Sequence, residues 1–180
     1  MKNSDISLME MVQAGETEKL GILFERYKRI LFAYFFRNTG DRDASEDLVQ
    51  VVFFRILKYK KNFAGRAKFT TWLFSVAHNV RIDHYKKNKK YSYHEDVTDI
   101  EIEDFESVEQ KIIKEEQSVL LKKALLRLKP DKRELIVLSK YQGLKYKEIG
   151  EMLGVSESNI KLRVFRALKD LKEIYNELEK

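Results

Sequence analysis

Apolar residues recur at three-and-four spacing along almost the whole chain, and that rhythm lapses for long in only one acidic stretch. The pattern commits the chain to amphipathic helices and leaves little room for a sheet. Leu20, Leu23, Phe24, Tyr27, Ile30, Leu31, Tyr34 and Phe35 mark one long helix, with Thr17 placed to cap its start and Gly40 to end it. A shorter helix over about 5–14, closed by Gly15, precedes it. Asp41 or Asp43 can open a third helix, carrying Leu48, Val51, Val52, Arg55 and Ile56 up to the basic loop "KYKKNFAGRAK". Thr70 or Thr71 can cap a fourth, running through Trp72, Val76, Ala77 and Val80 to about Lys87.

The periodicity is lost over residues 89–107, where "DVTDIEIEDFES" supplies too little apolar surface to offset the entropy of ordering it. We read this stretch as an acidic linker, although the alternation in "DIEIEDF" allows a short strand. A helix from about 108 to 128 follows, with Leu120, Leu121, Ala124, Leu125 and Leu128 on one side. Pro130, the only proline, fits the first turn of a new helix running to about Tyr141, which Gly143 closes. The expected fold class is therefore all-α: two small helical domains, 1–88 and 108–180, joined by the acidic linker, the second a four-helix domain.

Charge follows the same division. Residues 1–90 carry 18 Lys and Arg against 10 Asp and Glu, residues 91–118 carry 2 against 10, and residues 119–180 carry 15 against 9. Two basic blocks around an acidic segment suit two contacts with a polyanion, a pattern that plain surface solvation explains equally well. The absence of cysteine excludes disulfides, thiolate metal sites and a cysteine nucleophile. No helical metal-ligand spacing links His78, His84 and His94, and no phosphate-binding glycine loop or Ser/His/Asp signature is present, so no enzyme, cofactor or metal is expected. Without an apolar run of about 18 residues or a signal-peptide pattern, the chain is expected to be cytoplasmic and not inserted in a membrane.

Two segments carry binding chemistry. In "LKYKEIGEMLGVSESNIKLRVFRAL", two helical patterns flank a break at Gly154, Val155 and Ser156, the spacing of a helix-turn-helix. With Ile160, Val164, Leu168 and Leu171 turned inward, Ser158, Asn159, Lys161, Leu162, Phe165 and Arg166 face outward, a basic surface suited to the major groove. An ordinary helical hairpin would share this pattern. In "FAGRAKFTTWLFSVAHN", Phe69, Leu73, Val76, Ala77 and Val80 fall on one core stripe, while Phe63 lies in the loop before it and Asn79 and Arg81 point more to the other side. Aromatics beside a basic groove can hold single-stranded bases, though periodicity alone favours the core for each ring.

"EDLVQVVFFRILKYKKNFAGRAKFTTWLFSVAHNVRIDHYKK" and "LKPDKRELIVLSKYQGLKYKEIGEMLGVSESNIKLRVFRALKDL", in that order, resemble the two-domain bacterial sigma factors of the extracytoplasmic function group. The likeness covers about residues 5–175 and implies a subunit that binds core RNA polymerase, recognises two elements of promoter DNA and helps open the duplex. By position, Asp47, Leu48, Gln50 and Val51 would meet the polymerase, Val51 standing where the family commonly has an acidic residue. Phe63, Gly65, Arg66, Lys68 and Asn79 would contact the −10 element, and Ser158, Asn159, Lys161, Leu162, Phe165 and Arg166 the −35 element, with Leu162 in place of a small polar residue. The resemblance also implies an anti-sigma factor as a partner. Opening ten or so base pairs costs well over about 10 kcal/mol and one or two captured bases return only a few, so such a chain would depend on core enzyme. A helix-turn-helix regulator acting without polymerase, or a helical adaptor that binds only protein, would fit the bare pattern as well.

Overall fold

A computed structural model describes residues 4–65, 68–88 and 119–180. Among these the regular structure is helical throughout: α1 (Asp5–Ala14), α2 (Leu20–Thr39), α3 (Arg42–Lys58), α4 (Phe69–Asn88), α5 (119–127), α6 (Pro130–Ile136), α7 (Tyr146–Leu153) and α8 (Glu157–Leu178). The linker over 89–107 and the first turns of the helix expected from 108 lie outside the described residues.

Several helix ends follow from local chemistry. Ser4 caps α1 by accepting the Ser7 N–H at 3.1 Å, and Asp41 caps α3 by accepting the Ala44 N–H at 2.9 Å. Gly15, Gly40, Gly143 and Gly154 follow α1, α2, the α6 segment and α7 with positive φ. Two expected caps are displaced. Thr17 lies in a 3₁₀ turn, Thr17–Lys19, that leads into α2, and α4 starts at Phe69, so Thr70 and Thr71 sit inside its first turn. The helix opened by Pro130 does not run evenly to Tyr141. It changes to a π turn over Val137–Tyr141, where the Gln142 N–H reaches back to Val137 O at 3.0 Å.

The buried apolar residues of α1–α4 and of α5–α8 form one continuous core. Leu23, Leu31, Phe35, Val52, Ile56, Leu73 and Ala77 meet on one side, and Ala124, Leu138, Ile149, Ile160 and Val164 on the other. Packing, more than propensity, therefore holds the helices in place. The stripes are narrower than periodicity suggested: Ile30 and Leu121 are exposed, whereas Phe74 is buried.

Arg133 joins the two groups. Its guanidinium donates to Leu125 O at 3.0 Å and Leu128 O at 2.9 Å, to Leu126 O, and across to Asn38 O at the end of α2. Tyr85 on α4 donates to the same Asn38 carbonyl at 2.5 Å. One buried cation thus serves the C-terminal carbonyls of two helices, which lack intrahelical donors.

Between α7 and α8 the backbone closes tightly. A Cβ on Gly150 would lie 2.6 Å from Val155 O, an approach only glycine permits. Gly150→Ala should therefore cost about 1–3 kcal/mol, read as a lower urea midpoint at unchanged slope. An unchanged midpoint would show that the turn relaxes freely.

Candidate nucleic-acid interface

The turn delivers α8 as the sequence implies. Gly154 takes φ 68° and Ser156 accepts the Asn159 N–H at 3.3 Å, so the second helix starts immediately after the bend. Ile160, Val164, Ala167 and Leu171 pack inward, with Leu168 half-buried. Ser158, Asn159, Lys161, Leu162, Phe165 and Arg166 are all exposed on α8, joined by Arg163. The rings and stems of Leu162 and Phe165 are 48% and 67% exposed, which is costly for apolar side chains with nothing to cover them. Four charge-bearing or amide side chains around two exposed apolar ones offer both phosphate and base-edge contacts.

The loop before α4 is held from below by α1. Gln13 Nε2 donates to Lys60 O at 2.8 Å and Phe63 O at 2.7 Å, and Lys60 Nζ donates to Val12 O at 2.8 Å. Phe63, which the resemblance assigns to the −10 element, is turned into the core. Its ring is 5% exposed, 5.1 Å from Trp72 and 5.9 Å from Phe69, so it supports the loop from the core. Gly65, at φ 69°, and Lys68 are exposed at the loop, and Asn79 is exposed on α4. Asn79 follows Lys68, the residue just before α4, by eleven positions, about 16 Å along the helix. Arg66 lies outside the described residues.

On α3, Asp47, Gln50 and Val51 are exposed but Leu48 is 6% exposed and belongs to the core. Phe54, unnoticed in the sequence, extends the exposed face at 66%. It follows Val51 by three residues, and of the adjacent pair Phe53 and Phe54 only one can face inward. Beside this face a groove of about 340 Å³ runs between α2 and α3, lined by Phe24, Phe32, Val49 and Gln50 with Lys28 and Arg29 at its rim.

A further set of residues, whose pairing the sequence did not indicate, lies between the two groups of helices. Arg81, expected on the outer side of α4, is 1% exposed and pairs with Glu134 of α6, itself 3% exposed. His78 Nδ1 donates to the same carboxylate, at 2.9 and 3.0 Å from its oxygens, and the Tyr34 hydroxyl donates to it from α2. Lys68 Nζ meets Glu148 of α7 at 3.0 Å, and the Arg37 guanidinium lies 4.4 Å from the Tyr141 ring centre. Among the described residues no cluster of His, Asp and Glu could hold a metal ion, and no helix is long and apolar enough to cross a membrane.

Burial by itself disfavours the charged form of Glu134. The His78 hydrogen bond and the Arg81 charge outweigh it and hold the carboxyl below its ordinary 4.5. Burial and the same carboxylate push the Tyr34 phenol up, keeping it a donor. A carboxyl depressed in the folded chain contributes stability that is complete above its unfolded value and is lost as pH falls through the folded value.

Comparison with known proteins places this arrangement in a family. The model of Sigma-70 region 2 matches residues 23–91 and that of Sigma-70 region 4 matches residues 118–171. The chain is 30% identical to the RNA polymerase sigma factor YlaC of Bacillus subtilis over 84% of its length and 88% of that protein. It is also 30% identical to the ECF RNA polymerase sigma factor SigX of the same species, over 87% and 83% of the two chains. The fold matches that of the sigma factor RpoE solved with the anti-sigma factor NepR from Bartonella quintana, with a TM-score of 0.69, 24% identity, and coverage of 89% of this chain and 97% of that one. The chain belongs to the RNA polymerase sigma factors of the ECF group.

Denaturation followed from about pH 7 down to about pH 3 should show a stability loss below the ordinary carboxyl range that Glu134→Gln lacks. Parallel profiles for the two chains would remove Glu134 from the account of pH dependence.

Proposed function

We propose that this sigma factor directs core RNA polymerase to promoters through three separate surfaces. The face of α3 bearing Asp47, Gln50, Val51 and Phe54 meets the polymerase. The loop at Gly65, Arg66 and Lys68 with Asn79 of α4 meets the −10 element, and the outer face of α8 meets the −35 element. Leu48 and Phe63 contribute from beneath, by fixing α3 and the loop.

One observation supports this most directly: α8 buries Ile160, Val164, Ala167 and Leu171 on one face while exposing Lys161, Leu162, Phe165 and Arg166 directly after a tight turn. Such a helix can enter the major groove at its N-terminal end, with Arg166 reading a base and Lys161 holding phosphate. The polymerase supplies the chemistry, and this chain supplies position and the first opened bases. A partner of the anti-sigma class is part of the same proposal, supported by the likeness to a sigma factor solved with one.

Arg166→Ala should weaken binding to −35 DNA, in complex with core enzyme, by about 1–3 kcal/mol and leave scrambled DNA unaffected. Equal losses on both sequences would reduce Arg166 to a phosphate contact. Replacing Asp47, Gln50 and Phe54 together by Ala should diminish co-purification with core polymerase at unchanged helicity; undiminished recovery would refute the assignment of α3.

A further inference from the structure

Three carboxylates of the second helix group face cations of the first. Glu134 bonds Arg81 and His78, the Asp131 carboxylate lies 3.7 Å from the Arg81 guanidinium, and Glu148 pairs with Lys68. The acids sit on α6 and α7. Arg81 and His78 sit on α4, the helix that also exposes Asn79, and Lys68 immediately precedes it.

The receiving site is built rather than incidental. Arg81 is 1% exposed, and Tyr34, whose hydroxyl points at the same carboxylate, is fully buried. A guanidinium, an imidazole N–H and a phenol O–H therefore converge on a single anion. Arg81 Nε is buried with no partner among the described residues, so the carboxylate leaves one donor of the guanidinium unmet. A tetrahedral phosphate offers more acceptor oxygens than a carboxylate, and the planar guanidinium fork binds either.

We propose that Tyr34, His78, Arg81 and Lys68 form a binding site for backbone phosphates of promoter DNA, occupied in the free chain by Glu134, Asp131 and Glu148 as stand-ins. The inference rests on reading α4 and its preceding loop as the −10 surface. It makes closed packing of the two helix groups and DNA at α4 mutually exclusive, so DNA shifts the chain toward an open arrangement by its preference for the vacated site. Pairs such as Lys68 with Glu148, open to solvent on the lysine side, yield readily, whereas the Glu134 cluster sets the threshold.

The test uses the full chain, which has no cysteine of its own. Glu10→Cys and Lys172→Cys, both at exposed positions, accept a donor and an acceptor dye. Mixed-sequence single-stranded DNA is then titrated at low salt while energy transfer and DNA anisotropy are followed together. Transfer should fall with the same midpoint as binding. Glu134→Gln should bind DNA on the order of tenfold more tightly, and adding Arg81→Gln should abolish that gain. Bound DNA with unchanged transfer, no binding at all, or a gain that survives the loss of Arg81 overturns the proposal. The titration of the chain with Glu134 intact decides the matter if Glu134→Gln fails to fold. Promoter-directed transcripts from the same labelled chain with core polymerase separate the two levels. Transcripts alongside unchanged transfer overturn the phosphate site alone, and their absence overturns the −10 reading beneath it.

Discussion

A carboxylate 3% exposed to solvent governs how this molecule is put together. Taking Glu134 out of water costs several kcal/mol unless charge and hydrogen bonds replace what water supplied. Its replacements come from elsewhere in the chain: Tyr34 from α2, His78 and Arg81 from α4. The requirement to surround one anion therefore fixes α6 against α2 and α4. Arg133, the preceding residue, acts in the opposite sense by bringing a buried cation to carbonyls of α2 and α5. The Coulomb gain of a buried pair of this kind is offset by desolvation, so its net contribution to stability is small.

That arrangement separates what is covered from what is presented. The exposed faces of α3 and α8 lie away from the contact between the helix groups, with Phe54 and Phe165 both about two-thirds exposed. The α4 surface is different, since Lys68 and Arg81 are both engaged by acids of the second group while Asn79 stays open. With α4 proposed as the surface for the opened strand, that surface is the one the closed chain occupies itself.

Much of this was legible in the sequence because it is local. Gly15, Gly40, Gly143 and Gly154 mark helix ends, Pro130 marks a beginning, and Ser156 with Gly154 marks the bend that delivers α8. Each acts on its own neighbours, and periodicity reports them directly. The two groups of helices, which charge and the acidic stretch set apart in sequence, nonetheless share one core. Arg81 lay partly within reach, since it follows Phe74 and Ala77 by seven and four residues and so continues a buried stripe. Its charge argued for the opposite face, and nothing nearby in sequence announced Glu134, 53 residues away. Phe63 and Leu48 were harder for a different reason: both belong to segments proposed to make contacts, yet each supports its segment from inside the core.

A sigma factor built this way should make core RNA polymerase selective for promoters bearing two elements. Transcription of a genomic fragment library by core enzyme, with RNA 5′ ends sequenced in the presence and absence of the chain, tests it most directly. Start sites should appear only with the chain and share two upstream elements at fixed spacing. Start sites indifferent to the chain, or sharing only one element, would contradict it.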